Sequence, residues 1–385
     1  MRLEIKKKTI ETSFEEKLKV AIVHEPLVQI GGAENVLYEL KTLFKNSTVF
    51  TPFYDNLIAK KVLKETCNIR SSFLQKIPFI KKNEQFSLPF LPFSYETFDF
   101  SEFDLVISNC SGFSKNLIIP DKTRFIAYVH SPARFLWHDK DRYLGNLNGI
   151  KKVFSPLVKI ISPKLRIKDF LSVERADLVC GNSNHIVKRI KKYYKVKAET
   201  LYPPVEIKKS LILKKKDNFY LAGGRLVAYK RFDLLVESFN DLELPLKIFG
   251  SGPEIQKLNK IKRSDKIELL GSISSEEKER LFLKAKAFVF PQVEDFGIVP
   301  LEAISFGCPV IAFKKGGAIE TIEEGVNGIF FKEQTKESLT EKILEFEKGE
   351  ISFEYEKFPQ TVLKFSKENF RKNVKKIVER IMEIS

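Results

Sequence analysis

The feature that most constrains this chain is a repeated alternation. Short apolar runs of four to six residues, rich in Val, Ile and Phe, are each followed by an amphipathic stretch. In the first half the runs are Lys19–His24, Thr48–Phe53, Phe103–Ser108, Phe125–His130, Ala176–Gly181 and Thr200–Pro203. In the second half they are Phe219–Gly223, Leu246–Gly250, Ile267–Leu270, Ala287–Pro291, Pro309–Phe313 and Gly328–Phe331. Runs this short and this apolar read as strands covered on both faces. Strand followed by helix, repeated, predicts βαβ units and parallel sheets. Six runs in each half predict an α/β protein of two doubly wound, Rossmann-like domains, and 385 residues suffice for two cores.

The boundary shows in the residues between the halves. Pro203-Pro204 continues neither strand nor helix, and the Lys-rich stretch to Asp217 has no periodic apolar pattern. The expected division is a first domain over 1–203, a hinge linker over 204–217 and a second domain over 218–365. Residues 366–385 carry Phe370, Val374, Ile377 and Ile381 at helical spacing, which predicts a terminal helix packing back on the first domain. Ligands of doubly wound sheets bind beyond the carboxyl ends of the strands. Two such sheets in tandem predict a central cleft with one ligand-binding crevice on each side.

Charge separates the halves. Lys and Arg number 66 against 50 Asp and Glu, and the first 200 residues hold +13 of the net +16. A basic excess of this kind suits nucleic acid, an anionic membrane or a phosphorylated ligand. The four cysteines are scattered without a CxxC pair, which argues against a zinc or disulfide framework and for a reducing compartment. The first eight residues are polar, and no run reaches the ~18 apolar residues of a spanning helix. The expectation is a cytoplasmic protein that does not cross a membrane but lies on one.

Four places carry chemistry. Gly31 and Gly32 follow the first run and open a helix, where backbone N–H groups can approach an anion; Glu34 in that first turn suits the helix dipole. The pattern is not GxGxxG, so a nicotinamide or flavin site has no support, and taken alone the glycines are better explained by a plain strand-to-helix turn. His130 stands at the end of a buried run within FIAYVHSPARFLW, at a ligand-bearing position, although a capping histidine would look the same. Arg225 and Lys230 follow Gly223-Gly224 at another strand end; a guanidinium fork and an ammonium at a glycine-lined turn suit a diphosphate leaving group. Glu294 and Glu302 lie eight positions apart around Phe296-Gly297 and Pro300, with a helix expected over Leu301–Phe306. Carboxylates so placed can accept hydrogen bonds from sugar or ribose hydroxyls, or simply satisfy a helix N-terminus.

Other patterns are weaker. Asp139-Lys140-Asp141 has the spacing of a metal-binding pair but sits in a charged stretch that reads as a solvated face. Lys191-Lys192-Tyr193-Tyr194-Lys195 reads as a basic helix end rather than a nucleic-acid platform. Ile150–Lys168 holds Lys151, Lys152, Lys159, Lys164, Arg166 and Lys168, no acid, and interleaved Ile, Val, Leu and Phe. Together with Phe73–Phe93 it predicts an anionic membrane surface as partner, while Pro156 and Pro163 argue against one unbroken helix.

Taken together these motifs resemble those of the retaining GT-B glycosyltransferases of family 4, within them the mannosyltransferases of bacterial O-antigen (lipopolysaccharide) and exopolysaccharide assembly. The resemblance rests on GGAE at 31–34, YVHSPARFLW at 128–137, GNS at 181–183 and YPPV at 202–205. It continues through GGRLVAYKR at 223–231, GSGPE at 250–254, EDFGIVPLEA at 294–303 and GGAIETI at 316–322. It implies that Arg225 and Lys230 bind the diphosphate of a nucleotide-sugar and Glu302 the ribose. Glu294 and the backbone of Phe296, Gly297, Ile298 and Val299 would hold the donor sugar, and Gly31 and Gly32 the phosphate from the other domain. His130 would touch the sugar near the reacting carbon, and the base would rest near Gly224, Gly250, Gly252, Ser272 and Ile273. It further implies transfer of mannose from GDP-mannose to a lipid-linked or polysaccharide acceptor, by same-face attack, with no metal or other cofactor and no nucleic-acid partner. Open alternatives are a UDP-sugar donor, a sugar-nucleotide 2-epimerase of the same architecture, and a non-catalytic polyanion-binding protein.

Overall fold

The computed structural model describes residues 17–64, 68–81, 84–137, 155–207, 213 and 215–383. It divides into two compact units. Within the described residues the first runs to Gly181, includes Ile186–Leu201 and resumes at Arg371; the second comprises Asn182–His185 and Tyr202–Phe370.

The sheet of the first unit is built from β1 (Val20–His24), β2 (Thr48–Thr51), β3 (Ile69–Ser71), β4 (Leu105–Cys110), β5 (Arg124–Val129), β6 (Leu178–Gly181) and β7 (Glu199–Thr200). All pairings are parallel, in the order β3-β2-β1-β4-β5-β6-β7. β1, β2 and β4 are buried along their whole length, as both-face coverage demands. Aromatic packing fills one side, with Phe50 against Phe98, Phe100 and Phe103 at ring separations of 5.0–5.5 Å.

The second unit holds β8 (Tyr220–Gly223), β9 (Leu246–Phe249), β10 (Ile267–Gly271), β11 (Ala287–Phe290), β12 (Val310–Phe313) and β13 (Gly328–Phe331), in the parallel order β10-β9-β8-β11-β12-β13. This is the order 3-2-1-4-5-6 of a doubly wound dinucleotide-type sheet, and the first unit repeats it with one strand added. The switch points therefore fall at the carboxyl ends of β1 and β4, and of β8 and β11.

Eleven of the twelve expected runs match strands within about two residues at either end, while Thr200–Pro203 shares only Thr200 with β7. Several other expectations need correction. β3 was not foreseen: it is three residues long, lies at the sheet edge and leaves Arg70 and Ser71 exposed, so it has no apolar signature. The helix Ser155–Val173 is unbroken despite its prolines. Pro156 sits in its first turn, where no N–H is needed, and Pro163 is carried inside because burial of Leu165, Asp169 and Val173 outweighs one lost backbone bond. Asp169 is the anchor. Its carboxylate pairs with the buried Lys115 ammonium and accepts hydrogen bonds from Trp137 Nε1 (2.6 Å) and Tyr194 OH (2.8 Å). The terminal helix Lys367–Glu383 buries Phe370, Val374, Val378 and Ile381, with Ile377 only half-buried. Its Arg371 and Arg380 reach Glu39 (3.0 Å) and Glu199 (2.8 Å) inside the first unit. The helix Asn184–Tyr194 ends in Lys191 and Lys192; Asp139-Lys140-Asp141 lies outside the described residues.

Candidate active site

The second unit assembles its site from touching backbones. Gly224, just past β8, and Gly250 and Gly252, past β9, have φ of 132°, 125° and 158°. A Cβ on Gly250 would lie 1.8 Å from the Gly224 carbonyl oxygen, and one on Gly252 2.2 Å from that of Leu226. Glycine is therefore required at both, for conformation and for space. The approach is secured by hydrogen bonds from Gly224 N to Phe249 O (3.0 Å), Leu226 N to Ser251 O (2.8 Å) and Gly250 N to Gly271 O (2.7 Å). Above this layer opens a cavity of about 390 Å³ lined by Gly224, Arg225, Gly250, Ser272, Ile273 and Lys278, among others. A larger hollow of about 950 Å³ runs along the helix Lys336–Glu347. Its lining includes Glu337, Glu341, Glu345 and Glu347, the wrong sign for a phosphate, and it touches no strand end of the switch point.

Lys230 ends a short 3-10 turn, Ala228–Lys230, which returns its ammonium to Gly224: a Cβ there would meet Lys230 Nζ at 3.2 Å. The same ammonium lies 3.0 Å from Glu294 Oε1. Glu294 stands in the loop after β11, and that loop is braced from behind. Gly317 N donates to Glu294 O (2.8 Å), and a Cβ on Gly316 or Gly317 would strike the backbone of Glu294 or Phe296 at 2.5 or 2.3 Å. Phe296 is buried, its ring against Tyr202 and Phe365 and its backbone against Gly317. The next helix is Ile298–Ser305, begun by Gly297 at φ 96°, so it starts earlier than the expected Leu301. Pro300 lies within the first turn, where its missing N–H costs nothing, and the available donors are those of Ile298 and Val299. Glu302 on this helix receives Lys278 Nζ on both oxygens, at 3.0 and 2.9 Å. Of the residues expected in the second unit, Gly224, Arg225, Gly250, Ser272 and Ile273 line one cavity. Lys230 reaches it beside Gly224, Lys278 ties Glu302 to its wall, and Glu294 stands on Lys230.

The first unit carries the other expected residues. Gly31 and Gly32 are exposed at the start of the helix Gly32–Leu43. Glu34 stands in the first turn of that helix as expected and is buried there, 3.5 Å from His24 Nε2. Burial pushes its carboxyl pKa up, but the neighbouring His24 imidazole more than offsets this, leaving it below the usual value. His130 follows β5, half-buried, with Nε2 2.5 Å from Asn109 Oδ1. Of the expected membrane-facing cations, Lys164 is exposed, whereas Arg166 donates to Leu136 O (3.1 Å) and Lys168 pairs with Glu96 (3.1 Å). Lys159 lies on the helix Ser155–Val173, and Lys151 and Lys152 fall outside the described residues.

Sequence reasoning passed over Lys278, Asn109 and His24, and treated Gly316 and Gly317 only as a motif. The glycine pair could have been read as a close approach, since it follows a strand end. Lys278 had no signal, because a lysine in the charged SSEEKER stretch is ordinarily solvated.

Profiles of two families match: Glycosyltransferase Family 4 over residues 30–209 and Glycosyl transferases group 1 over residues 205–363. The chain belongs to the GT-B glycosyltransferases of family 4 type. This glycosyltransferase is 31% identical over 175 residues to an uncharacterized glycosyltransferase of Methanocaldococcus jannaschii, covering 44% of this chain and 49% of the relative. It is 25% identical over 383 residues to the alpha-1,3/1,6-mannosyltransferase ALG2 of Dictyostelium discoideum, covering 82% and 86% of the two chains. Thus it spans about half of the first relative and most of the second. Among solved structures it shares the fold of Anabaena Alr3699/HepE in complex with UDP, with a TM-score of 0.68, 15% identity and 94% and 100% coverage.

The glycine layer of the second unit can be tested directly. Gly250→Ala should lower the melting temperature by well over 5 °C and abolish nucleotide binding, since backbone must separate from backbone. Gly271→Ala has a φ of 68° but open space around its Cβ, so it should cost only ~1–2 kcal/mol. Equal melting temperatures for the two variants, read by scanning calorimetry, would remove the argument.

Proposed function

We propose that this glycosyltransferase is a retaining hexosyltransferase that moves mannose from GDP-mannose onto a lipid-linked or polysaccharide glycan at the cytoplasmic face of a membrane. The observation that carries this reading is the glycine-walled cavity bearing Arg225, with Lys230 returned to the same glycine. Cations at a preformed strand end suit the charge that develops on a departing diphosphate. The mannose assignment draws on the ALG2 relatives, which are named as mannosyltransferases. In this reading Glu302 accepts the ribose hydroxyls, displacing Lys278, while Glu294 accepts those of the sugar.

The bond between the anomeric carbon and the β-phosphate oxygen breaks with oxocarbenium character. The acceptor hydroxyl attacks from the face the phosphate leaves, forming the new glycosidic bond. Its proton passes to the departing phosphate oxygen, so the products are GDP and the extended glycan. Arg225, Lys230 and the N–H groups of Ile298 and Val299 neutralise the phosphate without a metal. His130 contributes at the sugar end. A UDP-sugar is the second reading, favoured by the Anabaena protein of the same fold, which is in complex with UDP.

A donor screen decides between them. At a hundred times its Kd, the preferred nucleotide-sugar should stabilise the protein by ~2.7 kcal/mol. GDP-mannose should give this shift, UDP- and ADP-sugars should not, and Arg225→Ala should remove it. Turnover should persist in EDTA. A shift with UDP-sugars alone replaces the mannose assignment; a new nucleotide-sugar formed without acceptor identifies an epimerase instead.

The lipid-linked acceptor is supported by the surface of the first unit. Ile160, Lys164, Ile167 and Leu171 recur at helical spacing on the helix Ser155–Val173 and are all exposed, Ile160 by 72%. Lys168 Nζ lies 4.0 Å from the ring of Phe93, so this helix adjoins the segment bearing exposed Phe90, Phe86 and Phe79. Cations beside exposed apolar side chains suit an anionic bilayer. The protein should sediment with phosphatidylglycerol vesicles and not with phosphatidylcholine vesicles, and Ile160→Glu combined with Ile167→Glu should release it. Retention of that double variant on the vesicles would place the contact elsewhere.

A further inference from the structure

Three polar side chains of the first unit meet where β1, β4 and β5 end, and the function proposed above uses only one of them. The sheet register brings them together. His24 on β1 is opposite Asn109 on β4, Asn109 is opposite Tyr128 on β5, and His130 follows two residues later. His24 and Asn109 are fully buried. Asn109 Nδ2 donates to Ala33 O at 2.7 Å and lies 3.0 Å from His24 Nδ1, while Asn109 Oδ1 lies 2.5 Å from His130 Nε2.

These contacts have a single consistent sense. Ala33 O is a pure acceptor, so the amide must turn its NH2 toward it and its oxygen toward His130. An oxygen that can only accept requires a proton on His130 Nε2. In the neutral ring the lone pair is then on Nδ1. The other amide hydrogen meets His24 Nδ1, which must therefore be unprotonated, placing the His24 proton on Nε2, 3.5 Å from the Glu34 carboxylate. At that distance the last contact is Coulombic attraction more than a formed hydrogen bond. Its charge nonetheless favours a proton on Nε2 of His24. Glu34 belongs to the first turn of the helix that begins at Gly32, so the polar chain begins beside the glycines of the sequence motif.

We infer that Asn109 is a positioning residue for sugar transfer: anchored by Ala33 and by the Glu34–His24 pair, it holds His130 in one ring orientation with the proton on Nε2. This rests on the role proposed for His130. A buried amide with both ends committed cannot rotate without leaving a buried polar group unpaired. The ring is thereby fixed before any donor arrives, and preorganisation of this kind is what a group acting at a reacting carbon requires.

The test reads the ring itself. Nitrogen-15 NMR of histidine-labelled protein without any ligand, with His130→Gln identifying the resonance, should show neutral His130 with a protonated Nε2 and an unprotonated Nδ1. Asn109→Leu should replace this by a mixture of both tautomers and lower kcat by about 100-fold, the penalty for a misplaced reacting group. The GDP-induced melting shift should stay unchanged, because GDP carries no sugar for His130 to meet and its proposed partners Arg225, Lys230 and Glu302 lie in the second unit. Asn109→Asp keeps an acceptor oxygen toward His130 and should retain the Nε2 proton. His130 protonated on Nδ1 in the wild type, which needs no variant to fold, overturns the inference, as does a wild-type spectrum and wild-type kcat in Asn109→Leu. The expected ring state in a protein that transfers no hexose would instead remove the functional reading while leaving the ring assignment standing.

Discussion

Backbone rests on backbone at the ends of β8 and β9, and the chemistry of the second unit depends on that contact. No side chain separates Gly224 from Gly250 or Leu226 from Gly252, so the two strand-end loops form one layer. The layer fixes where Arg225 leaves the chain and gives Lys230 a surface to return to. A second glycine pair, Gly316 and Gly317, does the same for the loop that carries Glu294. Cations and carboxylates alike are thus mounted on rigid main chain rather than on mobile loops. This is how a site can receive a dianionic leaving group without reorganising.

Much of this was legible in the residues. Strands buried on both faces announce themselves as unbroken apolar runs, and those runs place His130, Gly224, Arg225 and Glu294 just past strand ends. What failed did so for physical reasons. β3 has too little burial to leave a pattern. Pro163 is tolerated because tertiary packing around Asp169 outweighs local preference. The start of the helix bearing Glu302 is set by the left-handed Gly297, and Pro300 misled because proline is equally at home two positions into a first turn. Lys278 could not have been found, since only the fold brings its ammonium to Glu302. Glu34 stands in the first turn of its helix as expected, but its burial beside His24, on a different element, left no signal in the sequence.

The units divide the charge between two tasks. In the second, each lysine near the cavity is matched by a glutamate, Lys230 by Glu294 and Lys278 by Glu302, so its low net charge conceals a locally organised site. Arriving phosphate and ribose would exchange these internal pairs for ligand contacts, a replacement of partners rather than the burial of bare charge. In the first unit the basic excess lies partly on a helix beside exposed phenylalanines, while its buried polar groups converge on one histidine ring.

The account turns on where a diphosphate binds. A crystal structure of the protein with GDP answers this most directly. The expected result has phosphate oxygens at ~2.7–2.9 Å from the Arg225 guanidinium and the Lys230 ammonium, with the ribose on Glu302. A diphosphate found in another place, touching neither cation, would contradict it.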